Sequence, residues 1–251
     1  MRKIIILSIL AALLFSCAPK KNRMDWTATE YFKYAMKKYQ DKDYYDAVNE
    51  FTVVVLRFAG SVVADSAQFY LADSHYKMGE YLVSAVEFEK LVSDMSKSPL
   101  VAEAQYKIGE CYNEMSPRAS LDQKYSFKAI REYQIFIEDF PTHKLKEDAE
   151  KKITVLRSKL AKKDLYNAAI YRKMHRYTAA LIYYDLILEK YYDTEWADDA
   201  LNGKIETYLE LKDKQSAKKE IEKFKIQFPS STLTPAGAAI VDNVVRAEEN
   251  E

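Results

Sequence analysis

Between Leu165 and Tyr192 the sequence reads LYNAAIYRKMHRYTAALIYYDLILEKYY, and the spacing of its small and large apolar residues narrows the choice of fold. Ala168 and Ala180 lie twelve residues apart, Tyr184 follows four later, and Ile187 three after that. Apolar residues at three- and four-residue intervals mark amphipathic helices, with a tight turn expected around Lys173–Arg176. Small side chains at the first two positions let two antiparallel backbones approach closely. The large ones then plug the seam against the next helical pair.

The same spacing recurs along the chain. Ala35, Ala47 and Phe51 follow it, as do Ala72, Ser84 and Phe88. A looser copy has Gly109 with Ala129, Tyr133 and Phe136, and a last one has Ile205, Ala217, Ile221 and Phe224. Pro141 and Pro229 each follow the key alanine by twelve residues, where a proline stops the second helix. Such units resemble the tetratricopeptide repeat, a helix–turn–helix of about 34 residues. The expected fold is all-α, a tetratricopeptide-repeat solenoid of five helical hairpins plus a C-terminal capping helix. The hairpins fall at about 27–60, 61–98, 99–143, 160–193 and 194–232, with a linking helix over 144–163 and a cap over 235–247. The third is stretched by SPRASLDQKYS, residues 116–126, a long connection for two helices. Ser98 and Pro99 read as a helix start.

Residues 1–16 read as a signal rather than as part of the fold. Arg2 and Lys3 precede a twelve-residue apolar run, Ile4 to Phe15, too short to cross a bilayer comfortably. Ser16-Cys17 ends it, and the run resembles a bacterial lipoprotein signal, which implies cleavage before Cys17 and its acylation, for instance by palmitate. Several acyl chains on one residue make a durable anchor. Ala18 behind the cysteine implies, by the same resemblance, passage to the outer membrane. Residues 17–26 are then expected to be a poorly ordered lipidated tether, and 27–251 the repeat domain.

Composition excludes more than it suggests. The 38 basic and 38 acidic residues leave no bulk charge for nucleic acid, and five glycines in 251 residues suit helix throughout. With only Cys17 and Cys111, acylation leaves no intramolecular disulfide, and Cys111 reads as a buried thiol. His75, His143 and His175 are scattered among different hairpins, none with a partner at metal-ligand spacing. No phosphate loop or nucleophile elbow is present, so the expectation is a non-enzyme without cofactors.

The signal followed by five such hairpins is similar to the BamD family of lipoproteins of the β-barrel assembly machinery. The resemblance is sharpest over LAKKDLYNAAIYRKMHRYTAALIYYDLILEKYYDTEWADDAL, residues 160–201, and includes the insertion in the third hairpin. Two places depart from it. Tyr191-Tyr192-Asp193 replaces Tyr-Pro-Asp, and Phe58-Ala59-Gly60 replaces a Phe-Pro ending. The resemblance implies a scaffold at the periplasmic face of the outer membrane. It would dock on a BamA-like barrel insertase, meet other assembly lipoproteins and recognise unfolded outer-membrane proteins through an aromatic C-terminal peptide. A general periplasmic lipoprotein of cell-wall or envelope maintenance is the alternative.

Two surfaces could serve such a role. If first helices line a concave face, Phe32, Met36, Tyr39, Phe69, Tyr76 and Lys77 form an apolar groove beside a cation, suited to an aromatic peptide ending in a carboxylate. Packing against a neighbouring repeat is the other explanation for the same residues. Glu103, Glu110 and Glu114 give the third hairpin an acidic face, and Lys162, Arg172 and Lys173 give the fourth a basic one. The stretch from Lys144 to Lys163, with eight basic and three acidic residues, lies between them. Charge steering then places partner docking at Arg172, Lys173 and Arg176.

Overall fold

The computed structural model describes residues 22–233, all of whose regular structure is helical. Cys17, most of the tether and the cap at 235–247 lie outside the described residues. The chain divides into two compact units between Leu100 and Val101.

The first unit contains a short 3₁₀ turn, Arg23–Asp25, and four helices: α1 Ala28–Gln40, α2 Tyr44–Arg57, α3 Ala64–Lys77 and α4 Tyr81–Asp94. Helix α1 starts in a capping box. Thr27 Oγ accepts from the Glu30 amide at 3.3 Å, and Glu30 Oε2 accepts from the Thr27 amide at 2.7 Å. Residues 22–26 are not the loose tether the sequence suggests. The Arg23 carbonyl accepts from the Tyr31 hydroxyl at 2.7 Å, the Arg23 guanidinium pairs with Glu50, and it lies 5.1 Å from the Trp26 ring centre and 4.9 Å from that of Tyr34. An arginine amid three aromatic rings and a carboxylate gives this short segment its own order.

The second unit holds α5 Val101–Glu114, α6 Lys124–Asp139, α7 Lys146–Lys173, α8 Tyr177–Lys190, α9 Ala197–Glu210 and α10 Lys214–Gln227. The expected linking helix and the first helix of the fourth hairpin are one continuous element of 28 residues, α7. Nothing between Lys146 and Lys173 can break it, for the stretch has no proline and no glycine.

The seams are built as the spacing implies. Ala35, Ala47 and Phe51, then Ala72, Ser84 and Phe88, are completely buried in the first unit. In the second, Ala129, Tyr133, Phe136, Ala168, Ala180, Ile187, Ile205 and Ala217 are completely buried, and Tyr184, Ile221 and Phe224 nearly so. Two glycines are required by close approach. A Cβ on Gly109 would meet the Tyr133 ring at 2.7 Å, and one on Gly203 would meet the Tyr184 ring at 2.6 Å. Gly203 is the partner of Tyr184 that repeat spacing alone does not reveal, since the spacing points to Ile205.

Four hairpins share one turn. Lys42, Gly79, His175 and Lys212 have φ of 61°, 79°, 55° and 61°. After each, an amide reaches back to a carbonyl five residues earlier: Asp43 to Lys38 at 2.9 Å, Glu80 to His75 at 3.0 Å, Arg176 to Tyr171 at 2.9 Å and Asp213 to Tyr208 at 2.9 Å. This is the Schellman closure, in which a left-handed residue lets the last carbonyls of a helix find donors. Second helices also end alike. Phe58 and Tyr191, which lack a following proline, have φ of −128° and −127°, against −129° and −125° for Phe140 and Phe228, which have one. Proline reinforces that ending and is not needed for it.

Lys204 of α9 is the one strongly buried cation in the described core, at 7 % exposure. Its Nζ lies 2.7 Å from Asp185 of α8 and 3.0 Å from Glu220 of α10. Burial works against its charge, but the two carboxylate hydrogen bonds outweigh that and raise its pKa. Burial likewise opposes ionisation of Glu220, and the bonds from Lys223 and Lys204 overcome it and lower its pKa.

Added volume at a seam should cost about 1–3 kcal/mol. Ala180→Leu is therefore expected to lower the melting temperature by several degrees, while Lys190→Leu, on an exposed position, leaves it nearly unchanged. Thermal unfolding followed by circular dichroism measures both.

Candidate functional site

The first unit presents the predicted groove residues on α1 and α3, but it uses several of them for its own packing. Phe32 is half-buried, its ring 5.8 Å from that of Phe51 and 6.3 Å from that of Tyr70. Tyr39 stands 5.2 Å from Tyr70 and 5.5 Å from Tyr44, and its hydroxyl donates to Asp73, tying α1 to α3. Burial first, and then that carboxylate, raise the Tyr39 pKa, so the phenol stays protonated at physiological pH. Met36 packs against the same cluster.

Phe69 is a correction to the groove. It is 8 % exposed, with its ring 5.3 Å from Phe88, so it belongs to the α3–α4 core. Tyr76 is half-buried against Tyr81 at 5.2 Å, and the exposed Lys77 holds its Nζ 5.9 Å from the Tyr76 ring centre. Phe32, Met36, Tyr39 and Tyr76 stay partly exposed, and Lys77 is exposed. Among the described residues no group of three or more histidines, cysteines, aspartates or glutamates is placed to hold a metal ion.

In the second unit the predicted acidic and basic faces are partly consumed internally. Glu110 accepts from the Tyr133 hydroxyl at 2.6 Å and pairs with Lys152 of α7 at 3.2 Å. Lys162 lies 4.8 Å from the Trp196 ring centre. Arg172 is paired with Glu206 and lies 3.6 Å from Glu210, both on α9. Burial works against the Arg172 charge, yet the Glu206 bond keeps its pKa raised. Arg172 is thus a clip between α7 and α9. Lys173, the last residue of α7, and Arg176, the N-cap of α8, are exposed.

The insertion in the third hairpin forms a packed structure of its own. Gln123, at 3 % exposure, donates to the carbonyl oxygens of Arg118 at 2.9 Å and Leu121 at 3.0 Å. Lys159 of α7 donates to Ser116 Oγ at 2.7 Å, and Lys163 donates to the Leu121 carbonyl at 2.6 Å. Burial pushes the Lys159 pKa down. The sequence flagged this loop by its length but gave no sign of what holds it.

Residues 24–231 match the sequence profile of the YfiO family, described as outer membrane lipoprotein. The chain belongs to this YfiO outer membrane lipoprotein family. The match runs across all ten described helices, from α1 to α10. Relatives of this chain include the outer membrane protein assembly factor BamD of Rickettsia prowazekii, 23 % identical over 94 % of this chain and 95 % of that one. BamD of Haemophilus influenzae is 24 % identical over 84 % of this chain and 86 % of its own. Among solved structures, the TPR2AB-domain:pHSP90 complex of yeast Sti1 superposes with a TM-score of 0.44 at 13 % identity, covering 80 % of this chain and 78 % of that one.

The two basic residues at the end of α7 should behave differently. Arg172→Ala removes a partly buried clip and is expected to destabilise by about 1–2 kcal/mol. Lys173→Ala should stay within about 0.5 kcal/mol of the parent. Urea unfolding monitored by circular dichroism separates them.

Proposed function

We propose that this chain is a non-enzymatic scaffold of outer-membrane β-barrel protein assembly, held at the periplasmic face by acylated Cys17. The observation that carries the reading is the span of the family match, which covers the described fold from end to end, together with BamD relatives aligned over most of both chains. No described helix is long and apolar enough to cross a membrane, which is compatible with attachment through a lipid.

In this reading the first unit offers unfolded outer-membrane protein peptides the face bordered by Phe32, Met36, Tyr39, Tyr76 and Lys77. Rings already fixed by packing lose little freedom on contact, and Lys77 supplies a cation for a terminal carboxylate. Docking on a barrel insertase falls to exposed charges of the second unit, with Lys173 and Arg176 as contacts and Arg172 holding the end of α7 in place. Charges outside the core influence association rate more than fold.

Affinity purification of the tagged chain from its native membranes, read by mass spectrometry, tests the proposal. A barrel-forming insertase and accessory lipoproteins should co-purify. Recovery of cell-wall enzymes without an insertase would replace this reading with one of envelope maintenance. Separately, Cys17→Ala should abolish metabolic labelling with fatty acid and release the chain from the membrane fraction. Retained label would refute the anchor.

A further inference from the structure

The inserted loop and the outer side of α7 enclose a groove that neither packing nor the surfaces above account for. Its floor is a stripe on α7. Tyr166 and Ile170, 50 % and 55 % exposed and four residues apart, share one face of it. The opposite face of the helix supplies Leu160, Ala161 and Ala168 to the core. The stripe therefore does no packing work for the core. Its wall is the loop, fixed through Ser116, Leu121 and Gln123 as described, with Ser120 facing the helix across a space of about 300 Å³.

Charge selects the kind of occupant. Lys163 and Lys173 line the groove, and none of its lining residues is acidic. Ten residues of helix separate them, about 15 Å at 1.5 Å per residue. A floor of one aromatic and one branched aliphatic side chain takes two or three apolar groups, and the lysines at its two ends take carboxylates. A wall made of a pinned loop also lowers the ordering cost of binding, because its conformation is already set.

We propose that this groove docks an acidic peptide segment of a partner protein, inserting apolar side chains between Ser120 and Ile170 with carboxylates on Lys163 and Lys173. It rests on the reading of the chain as a docking scaffold and gives that role a defined pocket, one residue of which, Lys173, is shared with the proposed docking charges.

Fluorescence anisotropy with the full-length chain tests it, using two twelve-residue peptides. One carries a Leu-Phe pair flanked by glutamates, the other the same pair flanked by lysines. The acidic peptide should bind, more weakly as salt is raised, and its lysine twin should not. Ile170→Ser and Lys173→Glu, both at exposed positions, should each weaken binding about tenfold or more, equivalent to about 1.4 kcal/mol. Lys190→Glu, an exposed lysine outside the groove, should leave it unchanged. Equal binding of both peptides, or parent-like affinity in Ile170→Ser and Lys173→Glu, overturns the proposal. So does binding that emerges only when Ile240→Ser and Val244→Ser are introduced, which would make the chain's own C-terminal segment the occupant. Insertase co-purification measured on the parent chain keeps the two readings apart. An insertase recovered by a chain that fails to bind the acidic peptide leaves the scaffold standing without this pocket.

Discussion

Where two helices of this chain cross, one contributes a residue with almost no side chain and the other a large ring or branched chain laid over it. Tyr133 covers Gly109 and Tyr184 covers Gly203, each so closely that a single methyl group would collide with the ring. Alanines do the same at Ala35, Ala72, Ala168 and Ala180, all completely buried. Close backbone approach is what lets short amphipathic helices bury enough apolar area without a long-range sheet to organise them. The turn, the helix ending and the accessible faces of each hairpin follow from that contact.

Much of this could be read in the sequence because the contact repeats. A spacing of twelve, then four, then three marks the buried seam positions in most of the hairpins, although serine or isoleucine stands at some of them. The turn at Lys173–Arg176 was legible in the sequence, but the left-handed residue within it was not. Lys42, His175 and Lys212 adopt the same left-handed conformation without being glycine, and their Schellman hydrogen bonds offset the steric cost. Gly203 stayed hidden because its partner lies in the preceding hairpin, outside the twelve-residue spacing. The 28-residue α7 was visible in part, since nothing interrupts it, but the repeat register suggested a division that the helix does not make.

The interaction surfaces were less legible, for a physical reason. Sequence spacing says which side of a helix a residue occupies but not whether a neighbour already satisfies it. Phe69 lies on the expected helix yet points into Phe88, and Arg172 lies on the expected basic face yet is held by Glu206 and Glu210. Lys77, Lys173 and Arg176 are exposed. The loop at 116–126 was recognisable as an insertion, whereas its attachment to Lys159 and Lys163 depends on residues about 40 positions away. Long-range polar contacts of this kind leave no local periodicity to read.

The claim that seams are set by a small residue beneath a ring is tested most directly by a double-mutant cycle on Gly203 and Tyr184. In the parent, Gly203→Ala should destabilise the chain despite the better helix propensity of alanine, because the new methyl group meets the Tyr184 ring. In a Tyr184→Leu background the same change should become neutral or stabilising by up to about 1 kcal/mol, since only the propensity gain remains. The two effects should thus differ by more than about 1 kcal/mol in urea unfolding. A Gly203→Ala effect that is the same in both backgrounds, within about 0.5 kcal/mol, would contradict the account.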